Sequence, residues 1–255
     1  MLNVKALKTF TEENKTVLIR FDLNIPLNEE SSAISDRITR IKNPIHNLLS
    51  KKNKVIILSH LGRPKGKKDD EFSLKQIVNL LEDVLQKKII FLSNCIGDEV
   101  EKKINSLSQD SLILLENCRF HEGEEKNDNL FASKLSKLAD VYINDAFACS
   151  HRAHASIEAI TNYMPSYCGE LLYEEILNLN EVVNNPNRPA LTIIGGSKIS
   201  TKITVIKNLL KKMDSIAIAG GMANNFLKYL GNDTKNSLIE PDVGHLVKEI
   251  IEFAN

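Results

Sequence analysis

Four times within its first 150 residues the chain repeats one event: a short apolar run breaks off into a charged, polar loop. Thr16-Val17-Leu18-Ile19 runs into Arg20-Phe21-Asp22-Leu23-Asn24-Ile25-Pro26, where Pro26 stops any continuation of sheet or helix. Val55-Ile56-Ile57-Leu58 ends in Ser59-His60-Leu61-Gly62-Arg63-Pro64. Leu112-Ile113-Leu114-Leu115 ends in Glu116-Asn117-Cys118-Arg119-Phe120, and Val141-Tyr142-Ile143 ends in Asn144-Asp145-Ala146-Phe147, with His151-Arg152-Ala153-His154 close behind. Near-continuous apolar runs of this length are what strands buried on both faces of a parallel sheet look like. In open α/β sheets ligands sit beyond the carboxyl ends of such strands. If the four strands are parallel neighbours, one edge gathers Arg37, His60, Arg63, Arg119 and Arg152 around Asp22 and Asn24. That is a pocket for a small, multiply anionic molecule.

The segments between these strands carry apolar residues at helical spacing. Ile38, Ile41, Ile45, Leu48 and Leu49 form one such pattern, broken by Pro44; Leu74, Ile77, Val78, Leu81 and Leu85 form another behind an N-capping Ser73. Residues 88–92 read as a further strand, and 97–107 and 129–138 as further helices. Alternation of this kind predicts βαβ units around a parallel sheet. Residues 170–183 form a long helical pattern with no strand before it, and Asn184-Asn185-Pro186-Asn187-Arg188-Pro189 breaks it. The strand–helix pattern then starts again: strand 190–194, Gly195-Gly196-Ser197-Lys198, helix 200–212, strand 215–219, Gly220-Gly221-Met222, helix 223–230. The expected organisation is a parallel-sheet, three-layer, Rossmann-like N-terminal domain over 1–170, a connecting hinge helix over 171–186, and an incomplete second α/β domain over 187–255.

Charge and cysteine content exclude several functions. Lys and Arg number 33 against 33 Asp and Glu, which argues against a globally basic nucleic-acid binder. Cys95, Cys118, Cys149 and Cys168 show neither CxxC nor zinc-type His spacing, so reduced thiols are expected and no metal ligand is assigned. No apolar run approaches the roughly 20 residues that span a bilayer, and residues 1–15 lack the apolar core of a signal peptide. A soluble, cytoplasmic chain is expected.

Arginine presents a planar fork that grips phosphate or carboxylate through two parallel hydrogen bonds. Four arginines and a histidine just beyond separate strands suit a phosphorylated acid. Asp22 either pairs with one of these arginines or accepts from a substrate hydroxyl, as Asn24 could; His60 is either a general base or, the preferred reading, a donor to an anion. Gly195-Gly196-Ser197-Lys198, between a strand and a helix, lets backbone N–H groups approach a phosphate. On a continuous helix Lys198 and Lys202 would share a face. GxxxxGK[ST] and GxGxxG are both absent.

Seven of these stretches, in order, resemble the signature loops of phosphoglycerate kinase: residues 20–26, 59–66, 115–120, 144–147, 151–156, 195–202 and 220–224. Phe21, Ala148 and Asn225 stand where that family usually has valine, glycine and threonine, and none of these departures changes a charge. The resemblance implies reversible phosphoryl transfer between ATP and the carboxylate of 3-phosphoglycerate. It assigns Asp22, Asn24, Arg37, His60, Leu61, Gly62, Arg63, Arg119 and Arg152 to the triose phosphate (3-phosphoglycerate or 1,3-bisphosphoglycerate), with Arg40 a rival to Arg37. Lys202, Gly195, Gly196, Gly220 and Gly221 fall to ATP or ADP, and Arg37 with Lys198 to the phosphoryl group in flight. The family's acidic Mg²⁺ loop finds no counterpart in 203–255, so the resemblance implies a partial chain, inactive on its own. The alternative reading is a phosphoglycerate-binding domain without turnover. A monomer that binds small molecules rather than nucleic acid or membrane is expected.

Overall fold

The computed structural model describes residues 4–26 and 32–254; residues 1–3, 27–31 and 255 lie outside it. Six strands, β1 (Thr16–Arg20), β2 (Lys54–Leu58), β3 (Ile90–Leu92), β4 (Leu112–Leu115), β5 (Val141–Asn144) and β6 (Ser166–Cys168), make one wholly parallel sheet in the order β3-β4-β2-β1-β5-β6. Val17 stands in register with Val55 on one side and Val141 on the other. The four strands with charged loops are therefore contiguous: β4, β2, β1, β5.

Alternate residues of each strand enter different cores. Val17, Ile19, Val55, Ile57, Leu112 and Leu114 pack with Ile38, Ile45, Leu48 and Leu81, from α1 (Ser32–Arg40), α2 (Lys42–Ser50) and α3 (Val78–Leu85). Leu18, Ile56, Leu58, Ile113 and Tyr142 pack on the opposite face with Val100 and Ile104 of α4 (Asp98–Asn105). The short α5 (Glu122–Glu125) leads into α6 (Asn129–Ser136), whose Phe131 and Leu135 join that second core. Burying each such aliphatic side chain contributes about 1.5–3 kcal/mol, so two filled faces hold the sheet between helical layers. The fold is α/β, a parallel sheet in three layers.

Three local readings need correction. The helix expected through Pro44 is two helices, with Ile41 between them; Pro44 falls in the first turn of α2, where its missing N–H costs nothing. A strand does precede the long helix α7 (Glu170–Asn184): β6 is a three-residue edge strand, too short to show periodicity. The helix expected over 200–212 is confined to α8 (Ile203–Leu210), so Lys198 and Lys202 lie in the turn before it rather than on a shared helical face.

The chain divides into two compact units, residues 1–175 and 176–255, with the division inside α7. In the second, β7 (Leu191–Gly195) and β8 (Ser215–Ala219) pair in parallel. Met222 of α9 (Gly221–Tyr229) packs with Ile206 and with Val247 and Ile250 of α10 (Gly244–Ala254), a helix the sequence reading did not place. Leu191 and Ile193 of β7 stay 63 % and 70 % exposed.

Candidate functional site

Side-chain clamps hold the loops at the carboxyl ends of β1, β2 and β4 against one another. Ser59 Oγ accepts from the Leu23 N–H (3.0 Å) and donates to the Phe21 carbonyl (2.8 Å), tying the first loop to the second. Asn117 Nδ2 donates to the carbonyls of Leu61 (2.7 Å) and Phe72 (2.9 Å), while its Oδ1 takes the Arg119 N–H (3.0 Å). Gly62 turns the second loop at φ +61°, and a Cβ there would stand 2.2 Å from the Phe72 ring, so only glycine fits.

These clamps leave a cavity of about 190 Å³, lined by Asp22, Asn24, Arg37, His60, Arg63, Arg119, Ala148, Cys149 and Arg152. Four arginines face a single carboxylate across it. Asp22 is paired: its Oδ2 accepts from Arg37 Nη1 at 2.8 Å, and the same nitrogen reaches the Asn24 carbonyl at 3.1 Å. Asn24 Oδ1 accepts from the Gly62 N–H at 2.8 Å. Arg119 is buried; its Nη1 donates to the Gly62 carbonyl (2.9 Å). Its buried Nε lies 3.4 Å from Glu125 Oε1 without a hydrogen-bond partner among the described residues. Glu125 thus offsets part of the Arg119 charge at Nε, while the guanidinium still lines the cavity and can offer an anion its remaining terminal donors. Arg152 Nε donates to His151 Nε2 at 3.2 Å.

His60 is buried, and its Nδ1 lies 2.9 Å from Arg20 Nη2. Burial first, then the positive charges of Arg20, Arg119 and Arg152 with His154, holds its pKa far below the usual imidazole range. The ring is neutral at physiological pH. Burial pushes the Cys149 thiol up, against the pull of Arg20, Arg119 and Arg152. Asp22, His60 and Cys149 bring donor atoms within 4.8 Å of one another, but the surrounding guanidinium groups repel a cation, and we assign no metal there.

Leu61 and Gly62 do not line this cavity. Leu61 is buried with its carbonyl held by Asn117, and Gly62 has its N–H on Asn24 and its carbonyl on Arg119. Both build the wall from behind. Arg40 likewise falls elsewhere, in an adjoining recess with Phe21, Asp36, Ile41, Phe147 and Leu171. Arg37 lines both spaces, so geometry favours it over its rival. Sequence reading missed Arg20, Ser59, Asn117 and Cys149. An arginine closing an otherwise apolar run, Val17-Leu18-Ile19-Arg20, was the available signal for the first.

In the second unit the two glycine turns stack: the Gly196 carbonyl accepts from the Met222 N–H at 2.8 Å. Gly196 has φ +153°, and a Cβ there would lie 3.0 Å from Lys202 Cε, so Lys202 folds over bare backbone. Gly195 meets no such crowding, whereas a Cβ on Gly220 or Gly221 would come within 3.3 Å of Gly196 backbone or the Leu238 side chain. One expectation fails in part. The N–H groups of Ile199 and Ser200, just past the first glycine turn, already donate to Glu240 Oε2 (2.7 and 3.1 Å) rather than standing free for a phosphate. The Ser200 hydroxyl donates to the same carboxylate and is the largest of the contacts holding Glu240 below the usual carboxylate range. What remains for an anion is Lys198, Lys202 and the glycine backbone. That surface offers cations beside a backbone that an anionic ligand can approach closely.

Comparison with known proteins identifies the family. Residues 7–255 match the family model described as phosphoglycerate kinase. The phosphoglycerate kinase of Moorella thermoacetica is 46 % identical over 249 residues, which are 98 % of this chain and 63 % of that protein; the one from Coprothermobacter proteolyticus is 40 % identical over 254 residues, 99 % and 65 % respectively. Among solved structures, phosphoglycerate kinase from Coxiella burnetii superposes with a TM-score of 0.86 at 36 % identity, over 98 % of this chain and 63 % of that one. The Pyrococcus horikoshii enzyme gives 0.79 at 26 %, over 98 % and 64 %. The chain thus spans somewhat under two thirds of the length of these relatives. With the family model matching residues 7–255, nearly the whole of the chain, the chain belongs to the phosphoglycerate kinase family.

Proposed function

We propose that the chain binds 3-phosphoglycerate in the arginine-lined cavity and takes part in reversible phosphoryl transfer between ATP and the carboxylate of that acid. The observation that carries this reading is the single cavity shared by Arg37, Arg63, Arg119, Arg152 and His60, side chains that are up to 115 residues apart in sequence. Four guanidinium groups exceed what one phosphate needs and suit a ligand with a phosphate at one end and a carboxylate at the other.

The chemistry asks little else of the protein. A carboxylate acceptor is ionised at pH 7, its ordinary pKa being about 4, so no general base is required. His60, neutral and buried, donates a hydrogen bond instead of taking a proton. Positioning and charge neutralisation then do most of the work in phosphoryl transfer, and Arg37 and Lys198 are the proposed catalytic residues. ATP or ADP with Mg²⁺ would supply the transferable phosphoryl group or its acceptor. Lys202, Gly195, Gly196, Gly220 and Gly221 are proposed to hold the nucleotide, on the strength of the stacked glycine turns. The carboxylates for Mg²⁺ are not assigned to residues 203–255. A monomeric, cytoplasmic protein belongs to the same proposal through the family resemblance, and no described helix is long and apolar enough to cross a membrane.

Titration calorimetry tests the reading. One 3-phosphoglycerate per chain is expected, with Kd raised about 10- to 100-fold by Arg119→Ala or Arg152→Ala, the loss of one charge-assisted contact. Absence of binding, or binding indifferent to both substitutions, contradicts it.

A further inference from the structure

Behind the anion cavity lies a buried polar chain that the proposed chemistry does not use directly. Glu124 is fully buried. Its Oε1 accepts from Ser156 Oγ at 2.5 Å and its Oε2 from the Ser156 N–H at 2.9 Å. Ser156 Oγ, its own proton committed to Glu124, accepts in turn from Arg20 Nε at 3.1 Å. Arg20 is also fully buried; its Nη1 donates to the Phe21 carbonyl, and its Nη2 meets His60 Nδ1 at 2.9 Å.

The direction of that last contact is forced. A guanidinium has five donors and no acceptor, so His60 Nδ1 must be unprotonated to receive it. A neutral imidazole carries its single proton on the other nitrogen. Each link therefore fixes the next: the carboxylate orders the hydroxyl, the hydroxyl orders the guanidinium, and the guanidinium selects the tautomer.

We propose that Glu124, Ser156 and Arg20 are positioning residues that lock His60 as the Nε2–H tautomer, so that the cavity presents a donor to an oxyanion. This rests on the anion-binding reading of the cavity. Among the groups facing His60, Arg20, Arg119, Arg152 and His154 disfavour a second proton on the ring and together with burial outweigh Asp22, whose carboxylate lies within 4.8 Å and is paired with Arg37. Cys149 Sγ sits 3.9 Å from Nδ1, too long for an ordinary hydrogen bond to an N–H donor and within reach only as a weak one. Burying a full positive charge is costly unless it is compensated, and Glu124 supplies the opposite charge through Ser156.

Histidine-labelled, ligand-free protein gives the test, because long-range ¹H–¹⁵N correlation reads the protonation of each ring nitrogen. Wild type is expected to show His60 as the Nε2–H tautomer from about pH 5.5 to pH 8. Ser156→Ala is expected to give a mixture of tautomers and to raise the Kd for 3-phosphoglycerate about tenfold. Ser156→Thr, which restores the hydroxyl, is expected to recover both. In a His60→Ala background, adding Ser156→Ala is expected to change Kd less than about twofold, because the effect runs through the ring. An Nδ1–H His60 in wild type overturns the proposal whatever the variants do. So does an equal loss from Ser156→Ala with and without the imidazole. If wild type shows the Nε2–H tautomer and binds inorganic phosphate but not 3-phosphoglycerate, the positioning chain stands and the substrate reading falls.

Discussion

Arg37 anchors the account at the scale of single residues because it is half in use already. One nitrogen holds Asp22 and the Asn24 carbonyl, leaving the rest of the fork for a ligand. Arg37→Ala is expected to weaken 3-phosphoglycerate by about 10- to 100-fold in calorimetry while leaving thermal stability nearly unchanged, since an exposed ion pair is worth only about 0–1 kcal/mol. Gly62→Ala should behave in the opposite sense. It places a methyl group against Phe72 at positive φ, and a loss of about 1–3 kcal/mol in denaturant unfolding is expected. His60 gives a pH signature. Its folded pKa lies below its ordinary value of about 6.5, so the unfolded chain binds a proton that the folded chain refuses as pH falls below that value. Its contribution to stability is therefore whole above about pH 6.5 and is lost progressively below it. His60→Asn is expected to flatten the unfolding free energy against pH in that window; an unchanged slope would show that the ring protonates in place. His60, Arg63, Arg119 and Arg152 were legible in the sequence because each lies in a loop that follows an apolar run; Arg37, on α1, was placed by the resemblance. Ser59 and Asn117 were not legible: a serine or asparagine in a loop looks the same whether it clamps two loops together or faces water.

Among the elements, α7 shows how the site reaches into the scaffold. Asp145, the residue after β5, sends its Oδ1 to the Leu172 N–H at 3.0 Å and so caps the first turn of α7. Burial pushes its pKa up to about 6, against the backbone N–H groups of Leu172 and Leu171. Here the linkage runs opposite to that of His60. The folded state holds this proton more tightly than the unfolded chain, so stability is gained as pH falls through about 6 towards the ordinary carboxyl value. Asp145→Ala is expected to cost about 0.5–2 kcal/mol in thermal unfolding at pH 5, below the raised pKa, where no buried charge is relieved by the substitution, with loss of helix confined to the start of α7; no change would mean the cap is spare. The element order was readable from hydrophobic spacing, and β1, β2, β4 and β5 fell within a residue of their expected bounds. What escaped was short or interrupted. β6 has three residues, and the break at Ile41 lies within one continuous apolar stripe, where the periodicity of two helices in line is indistinguishable from that of one.

Across the whole molecule, formal charge balances to zero, yet the first unit concentrates four arginines on one cavity. Local field, not net charge, sets the attraction for an anion, so the Kd for 3-phosphoglycerate is expected to rise with added KCl in step with screening of partly exposed charges. Binding independent of salt would indicate a ligand held by neutral groups. The exposed Leu191 and Ile193 show that the two-stranded sheet of the second unit leaves apolar surface uncovered, in a chain that spans under two thirds of its relatives' length. Parallel pairing across four contiguous strands is what brings distant residues together, and the direct test is to see the ligand. A crystal structure with 3-phosphoglycerate is expected to place its phosphate among His60, Arg63, Arg119 and Arg152 and its carboxylate towards Arg37. Electron density for the acid anywhere outside this cavity would contradict the central claim.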